Sequence, residues 1–420
     1  MNKSNNNLKE NMPQVKQKPK LWIVSEVFYP EEVATAFYLT EIANKLSESR
    51  DVQVITGPKS YQESNIQSNK ELSPNIIIHR IEVYFRLSKN KTIQRILRFI
   101  LISFQLAFKL YKLSKKNEEI LVVTNPAPII IFTSLISFFR KNKLYILVHD
   151  VFPENLVPAK ILKPSNLTYR FFKLLFDNAY SKAQVLIVLG RDMSVVIEKK
   201  IKNAKTKPKI EIIENWADDE DVEPNSKMIR PQLFDHSKFS HKIRFLFAGN
   251  IGLLQNLDYL LEAVFLTKNS NLHFFIVGEG AHKKNLMKFV KEKNMANVTF
   301  GDSFPREQQS DYLNACDISI VSLNDEMTGL GVPSKTYNIL SAGNPILYLG
   351  SNESEIGKLV KETGIGWQFS SKDIKSLVAF FDNFEPSVIV NKGNLARNLA
   401  ENKYSKKNIL AKYDKLFNSN

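Results

Sequence analysis

Cysteine is almost absent from these 420 residues; Cys316 is the only one. A disulfide framework and a thiolate metal site are thereby excluded, and the setting Asn314-Ala315-Cys316-Asp317-Ile318 marks a buried, inert thiol. Long apolar runs are missing too. A membrane-spanning helix needs about 20 mostly apolar residues, and the uncharged stretch Ile120 to Phe139 is interrupted by Thr124-Asn125-Pro126-Ala127-Pro128. The amino terminus, MNKSNNNLKENMPQVKQKPK, lacks the apolar segment of a secretion signal or anchor. Residues 1–18 are therefore expected to be a disordered polar tail, and the protein cytoplasmic. No G-x-G-x-x-G, Walker sequence, zinc-finger spacing or RNP-like aromatic run occurs, which leaves dinucleotide, ATP-hydrolysing and nucleic-acid readings without support.

What is present is a globular balance, 43% hydrophobic and 24% charged, with a net charge of +15 that calls for an anionic partner. The length exceeds what one core holds, so two domains are expected. Short apolar strands alternate with helical patterns along the chain, which predicts parallel α/β sheets. Strands are expected at 21–25, 51–58, 76–80, 119–123, 143–148, 185–189 and 210–213, then at 244–248, 272–277, 297–300, 318–323 and 345–349. Residues 219–242 read as a connection, and 392–416 as a terminal helix. Helix 167–182 is expected to turn most of Tyr169, Phe171, Phe172 and Phe176 to the core. Segments 89–116 and 126–142 are apolar with basic ends. They read either as core helices or as peripheral membrane contacts.

Polar groups at the carboxyl end of a parallel strand lie where such sheets bind ligands, which singles out His149 and Asp150. The stretch 323–350, LNDEMTGLGVPSKTYNILSAGNPILYLG, reads as strand, loop, helix and strand. Gly329 and Gly331 permit close backbone approach, and Pro333, Ser334 and Lys335 open a helix where an anion would be stabilised. Arg191 in a first helical turn opposes the helix dipole, which favours a ligand role for it.

The run Gly331-Val332-Pro333-Ser334-Lys335 through Ser341-Ala342-Gly343-Asn344-Pro345 resembles the donor-site segment of bacterial glycosyltransferase family 4, in its capsule, O-antigen and colanic-acid assembly branch. Phe28-Tyr29-Pro30-Glu31, Asp150-Val151-Phe152-Pro153-Glu154, Asn215-Trp216-Ala217-Asp218, Gly249-Asn250-Ile251-Gly252 and Gly278-Glu279-Gly280 are similar to further elements of that family, from Leu21 to Leu416. The resemblance implies a GT-B fold, two Rossmann-like domains facing a cleft. These would comprise residues 19–205 on the acceptor side and 206–402 on the nucleotide-sugar side, with a helix over 403–418 packing back on the first. It implies transfer from a nucleoside-diphosphate sugar to a lipid-linked or oligosaccharide acceptor, with retention and with neither metal nor cofactor.

The same resemblance distributes the roles. His149, Asp150 and Lys335 would be catalytic. Gly249, Asn250, Gly252, Gln255, Gly278, Gly280, Ser334, Lys335, Glu353 and Glu355 would hold the diphosphate and nucleotide. Glu326, Gly329, Gly331 and Asn338 would meet the donor sugar, and Tyr29, Glu31 and Arg191 the acceptor side. Two departures stand out. Leu330 and Asn338 occupy the places of a pair of glutamates common in the family, and Gln255 that of a basic residue. A nucleotide-sugar epimerase of the same fold and a catalytically silent nucleotide-sugar binder are the alternative readings.

Overall fold

The computed structural model describes residues 18–31, 33–58, 71–83, 92–224, 231–234 and 239–419. The expected tail, apart from Lys18, lies outside them, as do parts of the expected 89–116 and 219–242 segments.

The first sheet is built from β1 (Lys20–Val24), β2 (Asp51–Thr56), β3 (Ile77–Arg80), β4 (Glu119–Val123), β5 (Lys143–Val148), β6 (Val185–Val188) and β7 (Lys209–Ile212). All its pairs are parallel, in the order β3-β2-β1-β4-β5-β6-β7. The second contains β8 (Ile243–Ala248), β9 (Leu272–Val277), β10 (Val298–Gly301), β11 (Ile318–Ser322), β12 (Ile346–Leu349) and β13 (Gly366–Phe369), again all parallel, in the order β10-β9-β8-β11-β12-β13. Near-continuous apolar runs such as Ile120–Val123 and Leu272–Val277 form strands because helices cover both faces of a parallel sheet. Strand order reverses between β1 and β4 and again between β8 and β11, so each sheet opens a crevice at the carboxyl ends of those strands.

Three expectations need correcting. Strand β13 was not expected. It has only four residues, and it pairs closely enough that a Cβ on Gly366 would lie 1.9 Å from the Ile346 carbonyl oxygen. The terminal helix is two, Ile389–Asn402 and Lys406–Asn418. The chain breaks between them because Ala217 donates its N–H to the Tyr404 carbonyl (2.7 Å), and Ser405 then caps the Asn408 N–H of the next helix. Helix Leu167–Ser181 buries Phe176, while Phe171 faces outward and Tyr169 and Phe172 are half-buried.

The last helix lies on the first sheet's side of the molecule. Phe417 stacks on Tyr145, ring centroids 4.4 Å apart. Arg50, ion-paired to Glu119, donates to the Phe417 carbonyl and to Asn418 Oδ1. Cys316 is buried, and burial pushes its thiol up to about 12.

Candidate active site

Two loops at the carboxyl ends of β8 and β9 pack against one another with no room for side chains between them. Gly278, at φ +136°, would place a Cβ 1.8 Å from the Gly249 carbonyl oxygen, and Gly280 one 2.2 Å from that of Ile251. These glycines therefore let the two loops pack as a pair. Three amides of the first loop are spent internally: Gly249 N–H on Val277 O, Ile251 N–H on Glu279 O and Gly252 N–H on Gln255 Oε1. Gln255 thus shapes the loop, while it also lines the space between the domains.

Two cavities meet at the Ser334–Lys335 step. One, of about 340 Å3, lies between the domains and is lined by Thr35, Tyr38, His149, Asp150 and Asn215 from the first half and by Gln255, Ser322, Gly331 and Ser334 from the second. The other, of about 290 Å3, is a groove of second-domain residues: Gly249, Asn250, Gly278, Glu279, Ser303, Phe304 and Lys335. Lys335 opens helix Lys335–Ser341 and donates to the Ala248 carbonyl at 2.9 Å. Its ammonium is open to the groove, yet the walls displace enough water to lower its pKa to about 8.

The floor of the interdomain cavity is the end of β5. Thr124 Oγ1, at the end of neighbouring β4, accepts the N–H groups of both His149 (3.1 Å) and Asp150 (3.2 Å) and fixes their direction. Burial pushes the His149 imidazole down to about 4, so it is neutral at pH 7, with Nδ1 3.4 Å from Thr35 Oγ1. Asp150 is open to the cavity, and the enclosing protein pushes its carboxyl up to about 6. Across from it, Gly331 forms an antiparallel bridge with Asp150, where a Cβ would sit 3.1 Å from Asp150 Oδ1.

The rest of the domain boundary is a reciprocal clasp. Asp192, in the first turn of helix Arg191–Lys200, accepts Gly329 N–H (2.9 Å) and Glu355 N–H from the second domain. Glu355, opening helix Glu355–Thr363, accepts Arg191 N–H (2.7 Å) and Nε (3.0 Å) in return. Two positive helix ends face each other, each satisfied by the other's carboxylate. Gly190 and Gly329 keep the approach open. A Cβ on Gly190 would lie 2.8 Å from Glu355 Cβ, and one on Gly329 2.6 Å from Val196 Cγ2.

Measured against the sequence reading, the structure gathers His149, Asp150, Gln255, Gly331 and Ser334 around one cavity, and Gly249, Asn250, Gly278 and Lys335 around the other. Arg191 and Glu355, expected on opposite sides of a ligand, instead engage each other, and Arg191 also pairs with Glu362. Asn338, expected at the sugar, is buried, with Oδ1 accepting Asp218 N–H and Nδ2 donating to Gln309. Glu326 and Glu353 point outward beside Lys372 and Lys358. Tyr29 and Glu31 line neither cavity; the Tyr29 carbonyl accepts from Arg80. Thr35, Tyr38, Thr124, Asn215 and Ser322 were not foreseen. Thr124 and Ser322 could have been, as polar residues closing apolar strands. Among the described residues, no three His, Cys, Asp or Glu side chains converge as a metal would require.

Comparison with known proteins bears on this geometry. A family model described as glycosyl transferases, group 1, matches residues 229–406. A protein of Pseudomonas aeruginosa described as a probable glycosyltransferase, WbjE, is 30% identical over 394 residues, 94% of this chain and 96% of that one. WcaI of Escherichia coli K12, described as a colanic acid biosynthesis glycosyl transferase, is 28% identical over 170 residues, 40% of this chain and 41% of its own. Among solved structures, Anabaena HepE in complex with UDP and glucose superposes with a TM-score of 0.70 at 10% identity, covering 96% of this chain and 100% of that one. Two parallel-sheet domains, a cleft between them and near-full-length similarity to a glycosyltransferase agree: the chain belongs to the group 1 glycosyltransferases and has the GT-B fold.

Proposed function

We propose that this enzyme moves a glycosyl group from a nucleoside-diphosphate sugar, a UDP-sugar in the first instance, to a lipid-linked or glycan acceptor in bacterial cell-surface polysaccharide biosynthesis, with retention and without a metal. The observation that carries the reading is the Ser334–Lys335 step, where Ser334 faces the interdomain cavity and Lys335 the groove. A ligand with a nucleoside at one end, a sugar at the other and a diphosphate between them has its parts in that order. HepE, which shares the fold, binds UDP and glucose, and WcaI is named for colanic acid biosynthesis; both are consistent with this assignment.

As the bond from the anomeric carbon to the diphosphate oxygen breaks, that oxygen keeps the electron pair, and the Lys335 ammonium with Asn250 at the groove stabilises the new charge. Asp150, poised near neutral pH, takes the proton of the acceptor hydroxyl as the new glycosidic bond forms. Neutral His149 serves as a hydrogen-bonding partner in the cavity rather than as an acid. A cytoplasmic protein in peripheral contact with the inner face of the membrane, through residues 89–116 and 126–142, belongs to the same reading, because a lipid-linked acceptor is met there.

The test is incubation of protein and membranes with radiolabelled UDP- and GDP-sugars. Label entering lipid or glycan is the expected result. An altered free sugar nucleotide would indicate epimerisation, and binding without turnover a silent binder; either overturns the proposal.

A further inference from the structure

Lys200 closes helix Arg191–Lys200, and its side chain is only 1% exposed. The ammonium donates to both oxygens of Glu154, at 2.8 and 2.6 Å, and lies 2.6 Å from Asp177 Oδ1. Lys173 completes the cluster, reaching Glu154 and Asp177 at 2.9 Å each. The charges balance, yet a buried ion pair adds little to stability that apolar side chains of similar volume would not supply. What such a pair does fix is geometry, and here it fixes a segment of the cleft. Glu154 lies in the same short stretch as Asp150. Between them, Val151 donates its N–H to the Leu330 carbonyl of the second domain (2.9 Å), and Phe152 stacks on Phe176, ring centroids 5.9 Å apart. The other end of the Lys200 helix carries Asp192, which accepts the N–H of Gly329, two residues before Gly331, the bridge partner of Asp150. Contacts thus run in a closed circuit. They pass from Asp192 along about 12 Å of helix to Lys200, then to Glu154, back to Asp150 and Val151, and across to Gly331, Leu330 and Gly329.

We propose that Lys200, acting through Glu154, is a positioning residue that holds the Asp150 carboxylate in line with Gly331, and that helix Arg191–Lys200 thereby ties the aim of this carboxylate to closure of the domains. Lys200 lines neither cavity, so it acts only through the segment it anchors. The catalytic consequence rests on the reading of Asp150 as the group that takes the acceptor's proton; the anchoring does not. With the anchor gone, the 149–156 segment keeps its place in the chain but loses its fixed direction, and a base displaced by about 1 Å loses on the order of a hundredfold in rate.

Lys200→Met alone would strand a buried carboxylate, so the test removes the pair together, as Lys200→Met/Glu154→Leu. Lys173 and Asp177 keep each other, no charge is left unpaired, and the Tm is expected to stay at or above the wild-type value. Glu154→Gln, which keeps the shape, is a second variant expected to change in the same direction. The first measurement needs no substrate. Amide hydrogen exchange over residues 151–156 is expected to quicken about tenfold in the double variant, with UDP affinity in calorimetry unchanged, since second-domain residues line the groove. Unaltered exchange would overturn the proposal whatever the reaction. The second measurement is transfer of radiolabelled sugar to membranes. Here kcat is expected to fall roughly tenfold to a hundredfold with KM for the sugar nucleotide unchanged. Introduced into Asp150→Asn, the same pair of changes should add no more than about a twofold loss, because the two act in series. An unchanged kcat, or the full loss repeated in that background, would overturn the proposal and leave the reading of Asp150 standing. A fully active Asp150→Asn would instead overturn that reading, and the catalytic half of the proposal with it.

Discussion

In the proposed reaction Lys335 and Asp150 carry the chemistry, and both have pKa values that bring them into a measurable pH range. Ligand-free Lys335, near 8, keeps its ammonium at pH 7 and loses it as pH rises through that value; a bound diphosphate favours the charged form and raises the pKa. UDP affinity is therefore expected to be flat below about pH 7 and to weaken above about 8, approaching a tenfold loss per pH unit. In Lys335→Ala, calorimetric titration should show affinity about tenfold to a hundredfold lower and that pH dependence gone. Asp150 must be ionised to take a proton, so kcat/KM is expected to fall as pH drops through about 6. Asp150→Asn should lower kcat by about a hundredfold to ten-thousandfold, whereas His149→Gln, which replaces an already neutral group, should lower it less. Sequence reasoning singled out His149, Asp150 and Lys335 because each follows a strand or loop whose pattern is local, and the structure sets the first two on one cavity and the third on the other. It did not foresee that the Asn338 amide is fixed by Asp218 and Gln309, partners distant in sequence that only folding brings near.

Among the connecting elements, the glycines separate into two kinds that a sequence does not distinguish. Gly278 serves packing within the second domain. Ala there meets both a positive φ and the Gly249 carbonyl, so Gly278→Ala should cost at least about 1–3 kcal/mol, seen as a lowered Tm. Gly329 serves the boundary. Its added methyl would meet Val196 and Asp192 across the clasp, so Gly329→Ala should slow sugar transfer and loosen closure in small-angle scattering while Tm changes less. Removing the Asp192 carboxylate, as in Asp192→Ala, strands two amide donors of the second domain and should cost about 1–3 kcal/mol of the contact between domains. Arg191 drew attention because it opposes its own helix dipole. In the structure the compensating charge is Glu355 of the other domain. Most strands were legible from unbroken apolar runs. The four-residue β13 and the break at Tyr404 were not, since the first is very short and the second is imposed by Ala217.

For the molecule as a whole, alternating strands and helices were enough to foresee two doubly wound sheets, because a parallel sheet leaves a periodic record along the chain. The relation between the sheets leaves no such record. It rests on single hydrogen bonds such as Val151 N–H to Leu330 O at 2.9 Å, whose partners no local pattern links. The net charge of +15 pointed to anions without saying where, and the structure sets one of the cations, Lys335, on the groove of the second domain. The pairing of Ala217 with Tyr404 and Ser405 has one more implication. Polypeptide passes between the halves at both places, and the two passages are stitched into a narrow ribbon. A ribbon of that sort bends readily in one direction and resists torsion and sliding. The halves should thus swing like the covers of a book about that spine, and substrate exchange should require the Asp192–Glu355 edge to part while the spine stays whole.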